Sequence, residues 1–282
     1  MKYNTGRIEL TGIIKSAVMF RQCIISTGLF LFTGMLCAQE KMLPDRWSAN
    51  TAYLMSKNSW EIGIFQPFRY GVNGKVEIMA NAVTIFLLPN AGLRISLGTA
   101  KGFVFASEHS ISYPSLFLNI VSFKGTGGLI SPQYDFPFML SVSNSLLITK
   151  PLSASTFITA SAGFSFAIRD YKPDYQATID LPVFYPRMAH YYEGISLRTG
   201  FSIKGTLAKR FLYEENIRMF LITRESENLF LENSGNITWA VGKSVHLKGG
   251  YILSWGRYPY GNYLQLWPVI DIVFGSWERK PV

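Results

Sequence analysis

Three short stretches of this chain hold residue types that could do chemistry. Glu108-His109-Ser110 contains the acid, base and nucleophile that acyl transfer uses. Gly163-Phe164-Ser165-Phe166-Ala167 places a serine between small residues, as a nucleophile elbow does. Gly242-Lys243-Ser244 has the residues that end a phosphate-binding loop.

The surrounding pattern argues against each of these sites. In an alternating strand, Glu108 and Ser110 face one side and His109 the other, so the three adjacent residues do not form a triad. Ser165 lies within an alternating stretch, whereas an elbow needs a sharp turn from strand to helix. Ile237 stands where a phosphate-binding loop needs glycine, so Gly242-Lys243-Ser244 predicts a β-turn. The sequence therefore predicts no enzyme.

The elements that would position functional residues are amphipathic strands. In the stretch 245–255, Val245, Leu247, Tyr251, Leu253 and Trp255 share one face, and His246, Lys248 and Ser254 share the other. About ten residues is the length that a tilted strand needs to cross a bilayer. Many such strands predict an all-β fold, a single antiparallel transmembrane β-barrel that is apolar outside and polar inside.

Eleven segments show this alternation, and bacterial single-chain barrels have even strand numbers, so we predict about twelve strands, with ten or fourteen as alternatives. The twelfth strand would lie near 50–56 or 115–123. Two long connections, 113–137 and 170–192, would either fold into the lumen or, in the favoured interpretation, cover the barrel mouth. The eleven segments lie near 59–68, 75–86, 91–98, 102–111, 138–149, 155–168, 193–205, 209–222, 228–242, 245–255 and 264–274.

Residues 1–38 predict a signal peptide, with a basic start, an apolar run over 23–36 and Ala38 before the cleavage point. Met1 and Met19 are both possible starts, and an uncleaved anchor or a lipoprotein at Cys37 are the alternatives. Both cysteines lie in this segment, so the mature chain would have no disulfide framework. Residues 39–58 would form a periplasmic tail or a segment inside the barrel, and 59–282 the barrel itself.

The predicted mature chain has 23 basic and 17 acidic residues, a net charge of +6. It has no polybasic run, so we expect no nucleic-acid partner, and its separated histidines predict neither a metal site nor a cofactor. Arg and Lys facing a pore favour anions, although paired charges could instead fill the lumen, with Glu214 pairing with Arg210 or Arg218. The lumen-facing candidates are Arg198, Lys204, Arg210, Glu214, Arg218, His246 and Lys248.

The stretches 51–63, 67–71 and 76–78 together resemble the opening of Gram-negative outer-membrane β-barrel proteins, many of them uncharacterised or transporter-type barrels. The resemblance implies an outer-membrane location, with membrane lipids and the barrel assembly machinery as partners. We expect a channel for passive passage of a small solute. The alternatives are a structural or adhesive barrel with functional extracellular loops and, third, a lipid-modifying enzyme whose serine and histidine meet from neighbouring strands at the lipid boundary.

Overall fold

The computed structural model describes residues 48–122, 130–174, 177, 189–222, 228–258 and 261–277. The predicted signal peptide lies outside these residues. Two helices are described, α1 (Ser115–Ser122) and α2 (Ala189–Glu193). Within the described residues, no helix is long and apolar enough to cross a membrane.

Twelve antiparallel strands form one closed barrel, which confirms the predicted fold class. Each strand pairs with its neighbours in sequence, and the barrel closes where the first strand pairs with the last. The strands are β1 (Trp60–Ile62), β2 (Phe68–Gly71), β3 (Val76–Ala80), β4 (Asn90–Ala100), β5 (Phe103–Ser112), β6 (Met139–Ser153), β7 (Thr156–Arg169), β8 (Ile195–Ala208), β9 (Phe211–Ile222), β10 (Leu229–Ala240), β11 (Val245–Tyr258) and β12 (Gly261–Ser276).

The twelfth strand arises from a split that the sequence pattern did not show. The predicted strand at 59–68 is interrupted after β1, where the Gly63 N–H donates to the Gln66 carbonyl at 3.1 Å. Pro67, which has no N–H to give to a ladder, follows this turn, and β2 begins at Phe68. Both predicted positions for the twelfth strand are therefore wrong: residues 50–56 form no strand, and 115–122 form α1.

The outer face of the barrel is apolar over most of its circumference. Phe164, Leu197 and Phe201 point outward from β7 and β8, and each is about half exposed in the isolated chain. The residues that alternate with them point inward and are mainly polar. Because a closed barrel leaves no unpaired edge and its outer band is apolar, this architecture suits a membrane-spanning protein.

The two ends of the barrel differ in their connections. At one end, here the turn end, β4–β5, β6–β7 and β8–β9 are each joined by only two residues. At the other, here the loop end, long connections follow β5 and β7. In outer-membrane barrels the short turns are periplasmic and the long loops extracellular.

An apolar cluster, here the cap, covers the loop end. Leu118 of α1 and Tyr191 and Tyr192 of α2 are buried in it, and Trp267 of β12 packs against it. The Tyr191 hydroxyl lies 3.2 Å from Ser112 Oγ, and burial raises the pKa of Tyr191 to about 12, so this hydroxyl stays protonated. The described parts of the two long connections thus pack together at the mouth, and α2 also contacts the lumen-facing Ser112 and Ser141. The buried members are Leu88, Leu118, Ile130, Phe136, Met139, Ala177, Tyr191 and Tyr192.

Candidate functional site in the lumen

Residues 48–59, here the plug, lie inside the lumen at the turn end. The Ala52 N–H donates to Thr149 Oγ1 at 2.7 Å, and the Met55 N–H donates to Glu77 Oε2 at 2.9 Å. Ala52 also packs with Ala106 and Leu147 of the wall. Main-chain groups at Ala52 and Met55 therefore bond to wall side chains, whereas the last two plug residues bond to the β2 main chain. The Asn58 N–H donates to the Gly71 carbonyl at 2.8 Å, and the Gly71 N–H donates to the Ser59 carbonyl at 2.9 Å. The fully buried residues of the plug are Ser48, Thr51, Ala52, Met55 and Ser59.

A network of buried ion pairs surrounds one side of the plug. Arg69 contacts Glu61 at 3.0 Å and Glu77 at 2.5 Å, and Arg94 contacts the same Glu77 oxygen at 3.2 Å. Arg94 also donates to two plug carbonyls, at Ser48 and Thr51. Buried charges need such partners, because isolated charges are costly to remove from water. The network thus fixes the plug and neutralises the wall charges at the same time.

A second pair holds the opposite side of the plug. Lys204 Nζ lies 3.0 Å from Glu214 Oε2, across the β8–β9 pair, and donates to the Ala49 carbonyl at 2.7 Å. The Asn50 side-chain amide donates to Glu214 Oε1 at 2.5 Å. Paired charges therefore fill the turn half of the lumen around the plug.

Between the plug and the cap lies a cavity of about 470 Å³. The charged residues lining it are three cations, Arg198, Arg218 and Lys248, and two carboxylates, Glu232 and Asp271. Arg218 Nη1 lies 3.1 Å from Glu232, whereas Arg198 donates to the neutral hydroxyl of Ser145 at 2.5 Å. The described lining is therefore positive in balance. Serines supply much of the remainder: Ser110, Ser112, Ser141, Ser143, Ser165, Ser196 and Ser234.

Six of the seven predicted lumen residues point inward, and Arg210 does not. Arg210 lies exposed in the two-residue turn at 209–210, because a register shift after Thr206 ends β8 at Ala208 and β9 begins at Phe211. The expected pairing of Glu214 with Arg210 or Arg218 is also wrong. Lys204 is the direct cross-strand neighbour of Glu214 and takes that place.

The remaining predicted residues lie at different depths. Lys204, Glu214 and His246 lie beside the plug, where the His246 ring stacks on Trp277 at 4.0 Å between centroids. Arg198, Arg218 and Lys248 line the cavity above, and Lys248 donates to Gln66 Oε1 at 3.2 Å. The alternation of polar residues predicted that these side chains face the lumen, but it did not predict which of them contact one another.

Residues of the first four strands carry much of the lumen network and were missed. Glu61, Arg69, Glu77 and Arg94 are all buried inside the barrel. The sequence could have indicated that Glu61 and Glu77 face the lumen, because both alternate with apolar residues in short strand patterns.

The barrel wall is thin on one side. β1, β2 and β3 have three, four and five residues, whereas β12 has sixteen. β12 pairs with β1 only through the last three residues, Phe274–Ser276. Just above this level, Asp271 accepts hydrogen bonds from the Ile64 and Gln66 N–H groups, both at 2.7 Å. The β1–β2 hairpin therefore ends at the height of Asp271.

Beyond Asp271, the described β12 backbone has a strand neighbour on the β11 side only. The outward side chains of this stretch are correspondingly more exposed: Ile270 is 77% and Leu266 is 66% exposed, whereas Ile272 is 38% exposed. Pro268 lies within this stretch, and proline is tolerated in strands mainly at edges. Ile64 and Phe65 of the hairpin line the cavity at this point, so the thin wall adjoins it.

Two polar clusters lie on the outer surface of the barrel. On β5 and β6, His109 Nδ1 lies 2.6 Å from Asn144 Oδ1, and His109 Nε2 lies 3.1 Å from Ser107 Oγ. The sequence pattern had separated His109 from Glu108 and Ser110 correctly but did not consider Ser107, which shares the face of His109.

The second outer cluster lies on β9, β10 and β11. The Glu215 carboxylate accepts hydrogen bonds from Asn233 Nδ2 at 2.6 Å and from the Tyr251 hydroxyl at 2.9 Å. Gly235 leaves the space that this carboxylate occupies, because a β-carbon there would overlap Glu215. Each outer cluster therefore satisfies its polar groups internally. Across the described residues, no group of three His, Cys, Asp or Glu could hold a metal ion.

Comparisons with known proteins add little to this geometry. No family model and no curated protein matches the chain. Among solved structures 23 chains match, including the outer membrane channel DcaP of Acinetobacter baumannii, with 7% identity, a TM-score of 0.38 and 74% of this chain covered. The match spans 61% of the DcaP chain. A bacterial polysaccharide outer membrane secretin matches at 10% identity and a TM-score of 0.39, over 74% of this chain and 67% of its own. We draw no functional argument from likenesses this distant.

Proposed function

We propose that this protein is an outer-membrane channel that admits a small anionic or polar solute to its lumen and is gated at the turn end by the plug. The observation that supports this proposal is the cavity of about 470 Å³ between the plug and the cap, with three cations against two carboxylates in its described lining. The predicted signal peptide and the apolar outer band support an outer-membrane location.

Arg198 is the residue that we expect to set the sign of the solute. Arg218 is partly neutralised by Glu232 and Lys248 donates to a neutral amide, whereas Arg198 donates to the neutral hydroxyl of Ser145. Side-chain cations that face an aqueous lumen attract anions and repel cations. An anion in the cavity would therefore find its strongest partner at Arg198.

The plug suits a gate because its attachments are polar. The wall side chains Thr149, Glu77 and Lys204 bond to its main chain, and water can replace such hydrogen bonds at a small net cost for each. Its apolar contacts with the wall are the packing of Ala52 and Leu54 and the edge-on contact of the Tyr53 ring with Phe157, at 5.4 Å between centroids. Residues 48–57 can therefore leave the lumen without unfolding a strand, while Asn58 and Ser59 stay bonded to Gly71 of β2.

A closed structural barrel is the second candidate. It is favoured by the ion pairs of Glu61, Arg69, Glu77 and Arg94, which fill the turn half of the lumen as charges do in small barrels without a pore. The two candidates differ in whether the lumen conducts once the plug is absent.

Conductance of the refolded protein in a planar bilayer tests the proposal. We expect brief, small openings for the full chain and larger, longer ones after deletion of residues 48–58. Reversal potentials in a KCl gradient should show anion preference, which Arg198→Gln should reduce. Arg210→Gln, at the exposed turn, is the matched control and should leave the reversal potential unchanged. A deletion variant that folds, as heat-modifiable gel migration reports, but stays silent would refute the channel and leave the structural barrel.

A further inference from the structure

The outer surface carries a hydrogen-bonded serine, histidine and asparagine in the order that a nucleophile, a base and an orienting group require. Ser107 and His109 lie two residues apart on β5, so their side chains share the outward face. Asn144 of β6 is the direct cross-strand neighbour of His109. Short sequence spacing and strand register together bring the three side chains into contact.

The hydrogen-bond directions follow from the atoms involved. Asn144 Oδ1 is a carbonyl oxygen and can only accept, so His109 Nδ1 carries the proton across the 2.6 Å contact. His109 Nε2 is then the free base, 3.1 Å from Ser107 Oγ, and it accepts the serine proton. Nucleophile and base within this distance, with the base oriented by a third group, form the arrangement that activates serine.

Placing these polar side chains on the outward face costs free energy, which a purely structural role does not explain. Their outward neighbours are apolar: Leu93 lies opposite His109, Leu146 lies opposite Ser107, and Phe164 lies opposite Asn144. Leu146 and Phe164 are both exposed on the outer surface of the barrel. An ionisable side chain within the membrane is costly, and such residues usually mark functional sites.

We propose that Ser107, His109 and Asn144 form a serine hydrolase site that opens to the bilayer and cleaves a carboxylic ester carried in its apolar region. His109 lies four residues from Tyr113, which packs on Phe138, and six residues from Phe103, which lies under Lys150. With roughly 2.5 Å of depth per tilted strand residue, the site lies about 10 Å below the Tyr113 level. It therefore lies in the half of the membrane nearer the loop end.

The reaction needs water and no other co-reactant. Ser107 Oγ gives its proton to His109 Nε2 and bonds to the ester carbonyl carbon. The carbon–oxygen bond to the alcohol breaks as His109 returns that proton to the departing oxygen. Water then gives a proton to His109 and its oxygen to the acyl carbon. The bond from that carbon to Ser107 Oγ breaks as His109 returns the proton to Oγ, which releases the carboxylic acid and restores Ser107. Ser107 and His109 are the catalytic residues, and Asn144 is a positioning residue.

A second serine–histidine contact inside the lumen does not compete for this substrate. Ser141 Oγ lies 2.8 Å from His190 Nε2, but both residues are buried beneath the cap. A lipid in the bilayer reaches the outer face of β5 and β6 and does not reach this pair.

The refolded full chain tests the site with an alkyl fluorophosphonate, which bonds to activated serines, and with p-nitrophenyl palmitate in detergent micelles. We expect the label on Ser107, found by peptide mass mapping, and losses of about 10²- to 10⁴-fold in ester hydrolysis for Ser107→Ala and His109→Gln. Thr199→Ala is the matched control: it removes a lipid-facing hydroxyl whose cross-strand neighbours are Ala162 and Met219, and it should keep full activity.

Asn144→Ala should lower the rate of ester hydrolysis, and Asn144→Asp should restore it. The aspartate variant should also move the acidic limb of the pH–rate profile to higher pH, because a carboxylate stabilises the protonated form of His109. Vesicles of phosphatidylethanolamine and phosphatidylglycerol separate the sources of ester. Fatty acid release from them identifies membrane phospholipid, and hydrolysis of only the palmitate ester identifies a diffusible apolar ester. A folded protein that takes no label and hydrolyses neither ester, or that takes the label at Ser141, overturns the proposal.

Discussion

Replacing Glu77 by glutamine tests how far the lumen depends on its buried charges. The carboxylate is fully buried and faces two arginines, Arg69 at 2.5 Å and Arg94 at 3.2 Å, while it also accepts the Met55 N–H. Glutamine keeps the shape and removes the charge. Removing one partner of a buried ion pair costs about 3–5 kcal/mol, because the other charge stays buried and unpaired. Arg69 keeps Glu61, so we expect the lower end, about 3 kcal/mol, in the free energy of unfolding.

Glu108→Gln is the matched control for this substitution. Its carboxylate lies 3.5 Å from Arg94 and its side chain is 27% exposed, so the same change should cost about 1 kcal/mol or less. Urea unfolding in lipid vesicles, followed by tryptophan fluorescence, measures both values. Equal losses in the free energy of unfolding for the two variants would refute the reasoning, because they would show that burial of the Glu77 ion pairs does not increase the cost of removing the charge. If the plug is anchored through Glu77, the Glu77→Gln variant should also conduct more often in a planar bilayer.

Three further outcomes follow from local geometry. Gly71→Ala would push a β-carbon into a plug carbonyl, so it should loosen the plug and raise conductance, whereas Gly249→Ala, with open space, should not. If the wall is thin beside β12, a lipid-soluble maleimide should label Ile270→Cys about twice as fast as Ile272→Cys, as their exposures of 77% and 38% indicate, and equal rates would contradict this. Asp271→Asn should weaken the hold on the β1–β2 hairpin and lower the free energy of urea unfolding by about 1–3 kcal/mol, and an unchanged unfolding midpoint would contradict it.

Strand alternation predicted most of the wall because it is a local property. Each of the long strands β4–β12 overlaps a segment whose apolar residues alternate in the sequence. The split into β1 and β2 escaped this pattern, since each piece is too short to show a period. The helix at Ser115–Ser122 escaped it for another reason: its residues are held by packing in the cap, which no local pattern reports.

The contacts within the sites depend on register, which sequence alternation does not give. Lys204 meets Glu214 because β8 and β9 pair at that offset, and a shift of two residues would have brought another pair together. The same holds for His109 and Asn144, which are 35 residues apart in the chain. The wrong prediction that Arg210 faces the lumen has a more local cause. The register shift at the end of β8 moved the turn by two residues.

Glu108 and His109 show how one strand serves two chemistries. The two residues are adjacent, yet Glu108 faces Arg94 and the lumen, while His109 faces Asn144 and the lipid. Because the wall is one strand thick, the lumen site and the outer site share a backbone but no side chain. Glu108→Gln should therefore leave ester hydrolysis unchanged, and His109→Gln should leave the reversal potential unchanged. A substitution that altered both readouts in a folded barrel would mean that the two faces are coupled through the strand, which side-chain alternation alone does not provide.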